Sequence, residues 1–226
     1  MRRFLLFMTI CAVSLCASAA NHYVSQTGGN DSNDGLSWAT PMQTITSGFS
    51  ACANGDTLFI AAGTYNERVT LTASKYLSMM GGYAPDGSQR DPEAFETIMD
   101  GTGLGKILIK SESEPAAPIV IDGLILQNAD YSSSSSAVYV RGNMTVNNCI
   151  IRNCHSSSSG GAIYVDDIVS ERPATISSCL FELCTADGGG GAIYNKGALI
   201  EKCIFRGCSG VYATIYNKKG KNIQWE

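Results

Sequence analysis

Val146-Asn147-Asn148-Cys149-Ile150-Ile151-Arg152-Asn153-Cys154 and Ile176-Ser177-Ser178-Cys179-Leu180-Phe181-Glu182-Leu183-Cys184 are the two stretches that decide the fold. Ile200-Glu201-Lys202-Cys203-Ile204-Phe205-Arg206-Gly207-Cys208 is a third copy, and Val120-Ile121-Asp122-Gly123-Leu124-Ile125-Leu126-Gln127-Asn128 stacks on them as a fourth. Each is followed by a polar or Gly-rich stretch and then a short apolar unit: Ala137-Val138-Tyr139, Ala162-Ile163-Tyr164, Ala192-Ile193-Tyr194 or Thr214-Ile215-Tyr216. Measured through Gly123, Cys149, Cys179 and Cys203, the offsets are 26, 30 and 24 residues. A period in the twenties that varies by loop insertion marks a solenoid, each coil burying its apolar face on its neighbour.

Side-chain parity says which solenoid. Small or apolar residues recur at steps of three, two and three: Val146, Cys149, Ile151 and Cys154. A continuous strand keeps its inward residues at even offsets, so each odd step needs a bend. The bends fall at Asn147-Asn148 and Arg152-Asn153, then at Ser177-Ser178, Glu182-Leu183, Glu201-Lys202 and Arg206-Gly207. Short β-runs separated by bends, with no 3.6-residue stripe, describe an all-β parallel β-helix. Equivalent residues of successive coils then stand about 4.8 Å apart. Cys149, Cys179 and Cys203 form one inward row, and Cys154, Cys184 and Cys208 a second. Two states of these rows stay open, reduced thiols packed as small hydrophobes or vertical disulfides.

Composition narrows the rest. The 226 residues suffice for one domain. Charged residues make up 16%, against roughly 25% on average. The formal charge of −4 carries no basic stripe, which argues against a nucleic-acid partner. Arg2 and Arg3 precede an apolar run from Phe4 to Leu15, and Ala17-Ser18-Ala19 fits a signal-peptidase site, so residues 1–19 read as a signal peptide. Leu15 fits poorly before Cys16 in a lipoprotein site. The run is too short to span a membrane, which takes about 20 apolar residues. Cleavage after Ala19 removes two Arg, leaving 14 − 20 = −6 and an exported chain, secreted or at the cell surface, with no later spanning segment. Of nine Cys, seven remain, an odd number that a fully paired framework does not accommodate. The Cys-x4-Cys spacing falls at the long end of that of structural zinc sites, and His155 is the only nearby imidazole.

Residues 20–55 form the expected N-terminal cap and 56–226 the coils. Tyr23-Val24-Ser25 leads into Gly28-Gly29-Asn30-Asp31-Ser32-Asn33-Asp34-Gly35, then a helix predicted to start at Thr40, with Met42, Ile45 and Phe49 on one face. This segment, followed by Gly55-Asp56-Thr57-Leu58-Phe59-Ile60, resembles the opening of exported bacterial right-handed parallel β-helix proteins of the pectate-lyase-like superfamily. The Gly-Gly-Ala-Ile-Tyr units at 160–164 and 190–194, with Phe181 and Phe205, resemble repeats of chlamydial polymorphic outer-membrane proteins. The resemblance covers nearly all of residues 20–226 and implies a right-handed coil. It leaves function open between an adhesin or glycan-binding scaffold and a polysaccharide lyase or glycoside hydrolase. Calcium-dependent lyases of the superfamily set clustered acids beside an Arg or Lys base, and no recurrent arrangement of that kind occurs here. Nor does a translocating barrel follow before Trp225-Glu226; an open last coil points to a fragment or to a covering partner.

Candidate chemistry is sparse. The turn-rich 29–35 stretch misses an EF-hand loop by one residue and reads as consecutive turns. Asp166, Asp167 and Glu171, beside Arg172 on the longest excursion, are candidates for calcium or for a paired-carboxylate site. Arg152 and His155 are candidate catalytic groups for β-elimination. No Gly-x-Ser-x-Gly elbow occurs, and no helix follows 188–191 to make a phosphate cradle. If Ile163 and Ile193 point inward, Tyr139, Tyr164, Tyr194 and Tyr216 form an outward aromatic row, able to stack on itself or against the sugar rings of an extracellular polysaccharide or host-surface glycan.

Overall fold

A computed structural model of the chain describes residues 19–71, 75–110, 119–133, 137–140, 143–166, 174–218 and 223–224. The protein is all-β with a single described helix, Ile45–Ala51. Its strands lie in parallel sheets of eight, six, six and four. One repeat shows the scheme. Met144–Asn147 belongs to the eight-stranded sheet, Ile150–Arg152 to one six-stranded sheet, His155–Ser156 to the four-stranded sheet, and Ile163–Val165 to the other six-stranded sheet. The next repeat lays Thr175–Ser177, Leu180–Glu182, Thr185–Ala186 and Ile193–Asn195 beside them in the same order. This arrangement is consistent with a parallel β-helix.

The bends are backbone-defined. Asn148 (φ 50°), Ser178 (53°) and Lys202 (54°) form one left-handed column, and Asn128 (57°), Asn153 (52°) and Leu183 (52°) another. Gly123 (69°) and Gly207 (61°) complete them. A single left-handed residue turns the chain between strands and supplies the odd step that the sequence shows. Asn and Gly take this conformation readily, whereas Leu183 and Lys202 hold it at a cost of roughly 1 kcal/mol each.

Two expectations change. In the first repeat the register pairs Val146 with Ile121 and Ile150 with Ile125. Gly123 therefore matches Asn148, not Cys149, and the spacing there is 25 residues (150 − 125). Leu124 and Ala129 stand where later repeats place cysteine, and both are fully buried. The helix also begins later than Thr40. Its N-cap is Thr44, whose hydroxyl accepts the Ser47 amide. Asp31 fixes that start by accepting from the Gln43 and Thr44 amides, both at 2.9 Å. Glu67 accepts from the Ile45 and Thr46 amides, also at 2.9 Å. Met42 instead bridges to Val24 as extended chain. Burial works against the Asp31 charge, but the hydrogen bonds from Thr44 and Gln43 outweigh it and hold its pKa below the ordinary aspartate value. Asp34 accepts from Leu36 N at 3.1 Å and Thr40 Oγ1 at 2.7 Å, so both acids of the 29–35 stretch serve as turn and cap acceptors.

The interior is a set of vertical rows. Leu58, Met79, Ile121, Val146, Ile176 and Ile200 stack in the eight-stranded sheet, and Tyr65, Met99, Leu126, Ile151 and Phe181 in one six-stranded sheet. All are 2% exposed or less. Cys149, Cys154, Cys179 and Cys184 are buried, Cys203 and Cys208 half-buried, and all seven described cysteines are free thiols. Each buried thiol of the two rows sits within 3.4 Å of the carbonyl two residues before it, as Cys149 does with Asn147 at 3.1 Å and Cys184 with Glu182 at 3.4 Å. Helix Ile45–Ala51 packs on the first strands through Ile45, Gly48 and Phe49. A Cβ on Gly48 would come within 2.5 Å of Val24.

Candidate functional site

The outward face of the Ile163–Val165 sheet carries the tyrosine row. Register pairs Tyr139 with Tyr164, Tyr164 with Tyr194, and Tyr194 with Tyr216. Their ring centroids are 5.7, 4.7 and 5.2 Å apart, with interplanar angles of 7°, 3° and 19°. All four rings are half-buried on the outward parity, while Ile163 and Ile193 are fully buried. The rings stack on one another, each contact worth about 0.5–1.5 kcal/mol beyond burial. Ring faces are thus largely taken, and edges and hydroxyls are what the row offers outward.

Charged groups grip the row. The Tyr139 hydroxyl lies 2.7 Å from Asp166 Oδ2, and Lys196 Nζ lies 2.9 Å from Asp166 Oδ1. Lys196 also stands 5.2 Å above Tyr164 and 5.7 Å above Tyr194. Burial disfavours its charge, but hydrogen bonds with Asp166 and Tyr164 outweigh it and raise its pKa above the ordinary lysine value. Lys106 lies 4.6 Å from the Tyr131 centroid and 4.7 Å from that of Tyr139. Burial lowers the Lys106 pKa. Register explains the grouping. Asp166 directly follows the strand carrying Tyr164, and Lys196 directly follows the strand carrying Tyr194, so both residues leave the same sheet at the same end one repeat apart.

The other candidates have separate partners. Asp167, Glu171 and Arg172 lie outside the described residues. Arg152 Nε donates to Gln127 Oε1 at 2.9 Å in a polar row on another sheet. The same row continues through Gln127 Nε2 to Asp100 at 2.9 Å. Burial works against the Asp100 charge, but hydrogen bonds from Thr102, Gln127 and Asn128 outweigh it and hold its pKa at about 2. His155 Nδ1 is 3.0 Å from Thr185 Oγ1, and its Nε2 is 3.8 Å from Asp187, in the four-stranded sheet. Asp166 stays with the tyrosines. The structure therefore places Arg152, His155 and Asp166 on three sheets. The 188–191 glycines form a close corner: a Cβ on Gly191 would meet the Ser209 backbone at 2.1 Å, and one on Gly161 the Gly191 carbonyl at 2.1 Å.

Thiol acidity follows the rows. The Cys149 and Cys203 thiols beside Cys179, then burial, push its pKa well above the ordinary value. Cys154 chiefly does the same to Cys184, and Cys184 to Cys208. Cys203 is lowered by its contact with Cys179. Burial, then the Asp56 charge, push Cys52 up to about 12.

A second aromatic group escapes the periodicity argument. Tyr23 lies 4.9 Å from Trp38 and 5.5 Å from Phe59, and Tyr83 5.5 Å from Trp38 and 5.1 Å from Phe59, between ring centroids. Gly87 seats against Trp38 so closely that a Cβ would be 2.2 Å from the indole. Its only sequence signal is outward parity at Tyr23 and Phe59; Trp38 comes from a turn.

Among the described residues, no helix is long and apolar enough to cross a membrane. Comparison with protein-family models, with curated proteins and with solved structures finds no match.

Proposed function

We propose that the protein is an exported, non-catalytic right-handed parallel β-helix, secreted or held at the cell surface, that binds an extended glycan along its tyrosine row. Its opening segment and repeats make it akin to the pectate-lyase-like superfamily. The observation that carries this reading is the in-register row Tyr139–Tyr164–Tyr194–Tyr216, tied by Asp166 and Lys196. A row at strand spacing presents a line of hydroxyls and ring edges, and the two lysines add ammonium donors beside it. A polymer of sugar rings, rich in hydroxyl donors and acceptors, complements such a line through hydrogen bonds. Self-stacking holds the line rigid, so little side-chain freedom is lost on binding.

The test is affinity electrophoresis through gels cast with neutral or acidic polysaccharides, comparing the parent with a Tyr164→Ser/Tyr194→Ser double variant. The parent is expected to be retarded in at least one gel. The double variant should keep the parent's far-UV circular dichroism and run freely. A parent that is never retarded, or a folded double variant retarded as strongly as the parent, refutes the reading; the second result transfers binding to residues 166–172.

A further inference from the structure

Neither the repeat nor the tyrosine row accounts for one histidine and one cysteine of this chain. The chain has two histidines. His155 belongs to a repeat; His22 does not. Cys52 is the one described cysteine outside the two inward rows. The fold brings His22 and Cys52 together with Asp56. His22 lies on the edge strand Asn21–Val24, Cys52 caps the C-terminus of helix Ile45–Ala51, and Asp56 precedes the strand Thr57–Ala61. The three are 7%, 4% and 4% exposed. One ligand atom from each lies within 4.8 Å of the other two.

His22 Nε2 faces Asp56 Oδ2 at 3.3 Å. That separation is the one two donors take on a single zinc ion, so the Nε2 lone pair and the carboxylate can face one ion while Nδ1 carries the ring proton. Nδ1 is fully buried and has no hydrogen-bond partner. The His22 side chain as a whole is 9% exposed. The Asp56 carboxylate is already oriented, accepting from the Ala20 and Ala53 amides at 2.7 Å each.

We propose that His22, Cys52 and Asp56 hold one zinc ion. A thiol, an imidazole and a carboxylate together form a borderline-soft donor set, which suits zinc better than the oxygen-only preference of calcium or magnesium. Zinc–ligand bonds of about 2.0–2.3 Å put tetrahedral donors roughly 3.3–3.8 Å apart, so atoms that lie within 4.8 Å of one another close by about 1.5 Å at most. Binding exchanges the Cys52 S–H bond for a Zn–S bond and releases that proton to solvent. Water takes the fourth position. The ion would pin the edge strand to the helix end and to the start of the first long strand, a junction with no repeat of its own to stabilise it.

The experiment uses protein purified from cells expressing the whole gene, reduced and stripped of metal, and titrated with cobalt(II) and then zinc. The expected result is one cobalt per chain with thiolate-to-cobalt charge-transfer absorption, displaced by one zinc that also raises the unfolding temperature. Cys52→Ser should abolish the absorption, and it and His22→Gln should each weaken zinc binding at least tenfold. Cys179→Ser should leave both readouts unchanged. Absence of the thiolate band, or a band that survives Cys52→Ser, overturns the proposal. If Cys52→Ser does not fold, His22→Gln decides, and undiminished zinc affinity in that variant overturns it equally.

Discussion

The same repeats carry two kinds of vertical row with opposite chemistry, thiols inside and phenols outside, and the last repeat separates what each row needs. Cys149 and Cys179 are 1% and 2% exposed, and Cys154 and Cys184 1% and 0%, yet Cys203 and Cys208 are only half-buried. Phe205 likewise is only partly buried, although it stacks on the fully buried Phe181 at 4.9 Å and 6°. The tyrosine row reaches Tyr216 with its spacing intact at 5.2 Å. An inward residue needs cover from the repeats on both sides; an outward ring needs only a ring face next to it. Inner rows therefore carry stability that depends on position along the stack, whereas the outer row keeps its geometry to its end.

The largest break in this comparison is expected from Phe181→Ala. It empties a fully buried ring site and strips Phe205 of its stacking partner. Urea unfolding should show a loss of about 3–5 kcal/mol. Phe205→Ala, at the half-covered end, should cost clearly less. Equal losses would mean that the last repeat is as well covered as the one before it.

Acid titration sharpens the outer side of the comparison at intermediate size. Asp100 has a folded pKa of about 2, depressed below the ordinary aspartate value. Its contribution is therefore fully present above the unfolded pKa of about 4 and is lost as pH falls through about 2. Asp100→Asn should flatten the decline in stability between pH 4 and 2. A variant that declines as steeply as the parent contradicts the polar row from Asp100 through Gln127.

The smallest effect is a gain. Leu183 is 61% exposed and holds a left-handed φ of 52°. Leu183→Asn should stabilise by about 1 kcal/mol in chemical denaturation, since Asn adopts that conformation at lower cost. Asn153→Leu, one repeat earlier in the same column, should lose a similar amount.

Side-chain parity made the bends legible, because three-two-three steps demand a turn whatever residue fills it. It found Leu183 and Lys202, which no turn propensity would select. Chemical identity misled where parity did not: matching Gly123 to a cysteine displaced the first repeat by one residue, since the cysteine positions there hold Leu124 and Ala129. The helix start was hidden because Asp31 and Glu67 choose it from outside the local sequence. Asp166 was visible as an acid, but its partner Lys196 lies one repeat later, and only the register of the sheets brings the two together.

The central claim is that the cysteine rows point inward as free thiols, and residue-resolved alkylation of the native protein tests it most directly. Cys149, Cys154, Cys179 and Cys184 should remain unlabelled until denaturation, while Cys203, half-buried and with a lowered pKa, labels first. Full labelling of Cys149 and Cys179 in the native state, or disulfide-linked peptides among Cys149, Cys179 and Cys203 from unreduced protein, would contradict it.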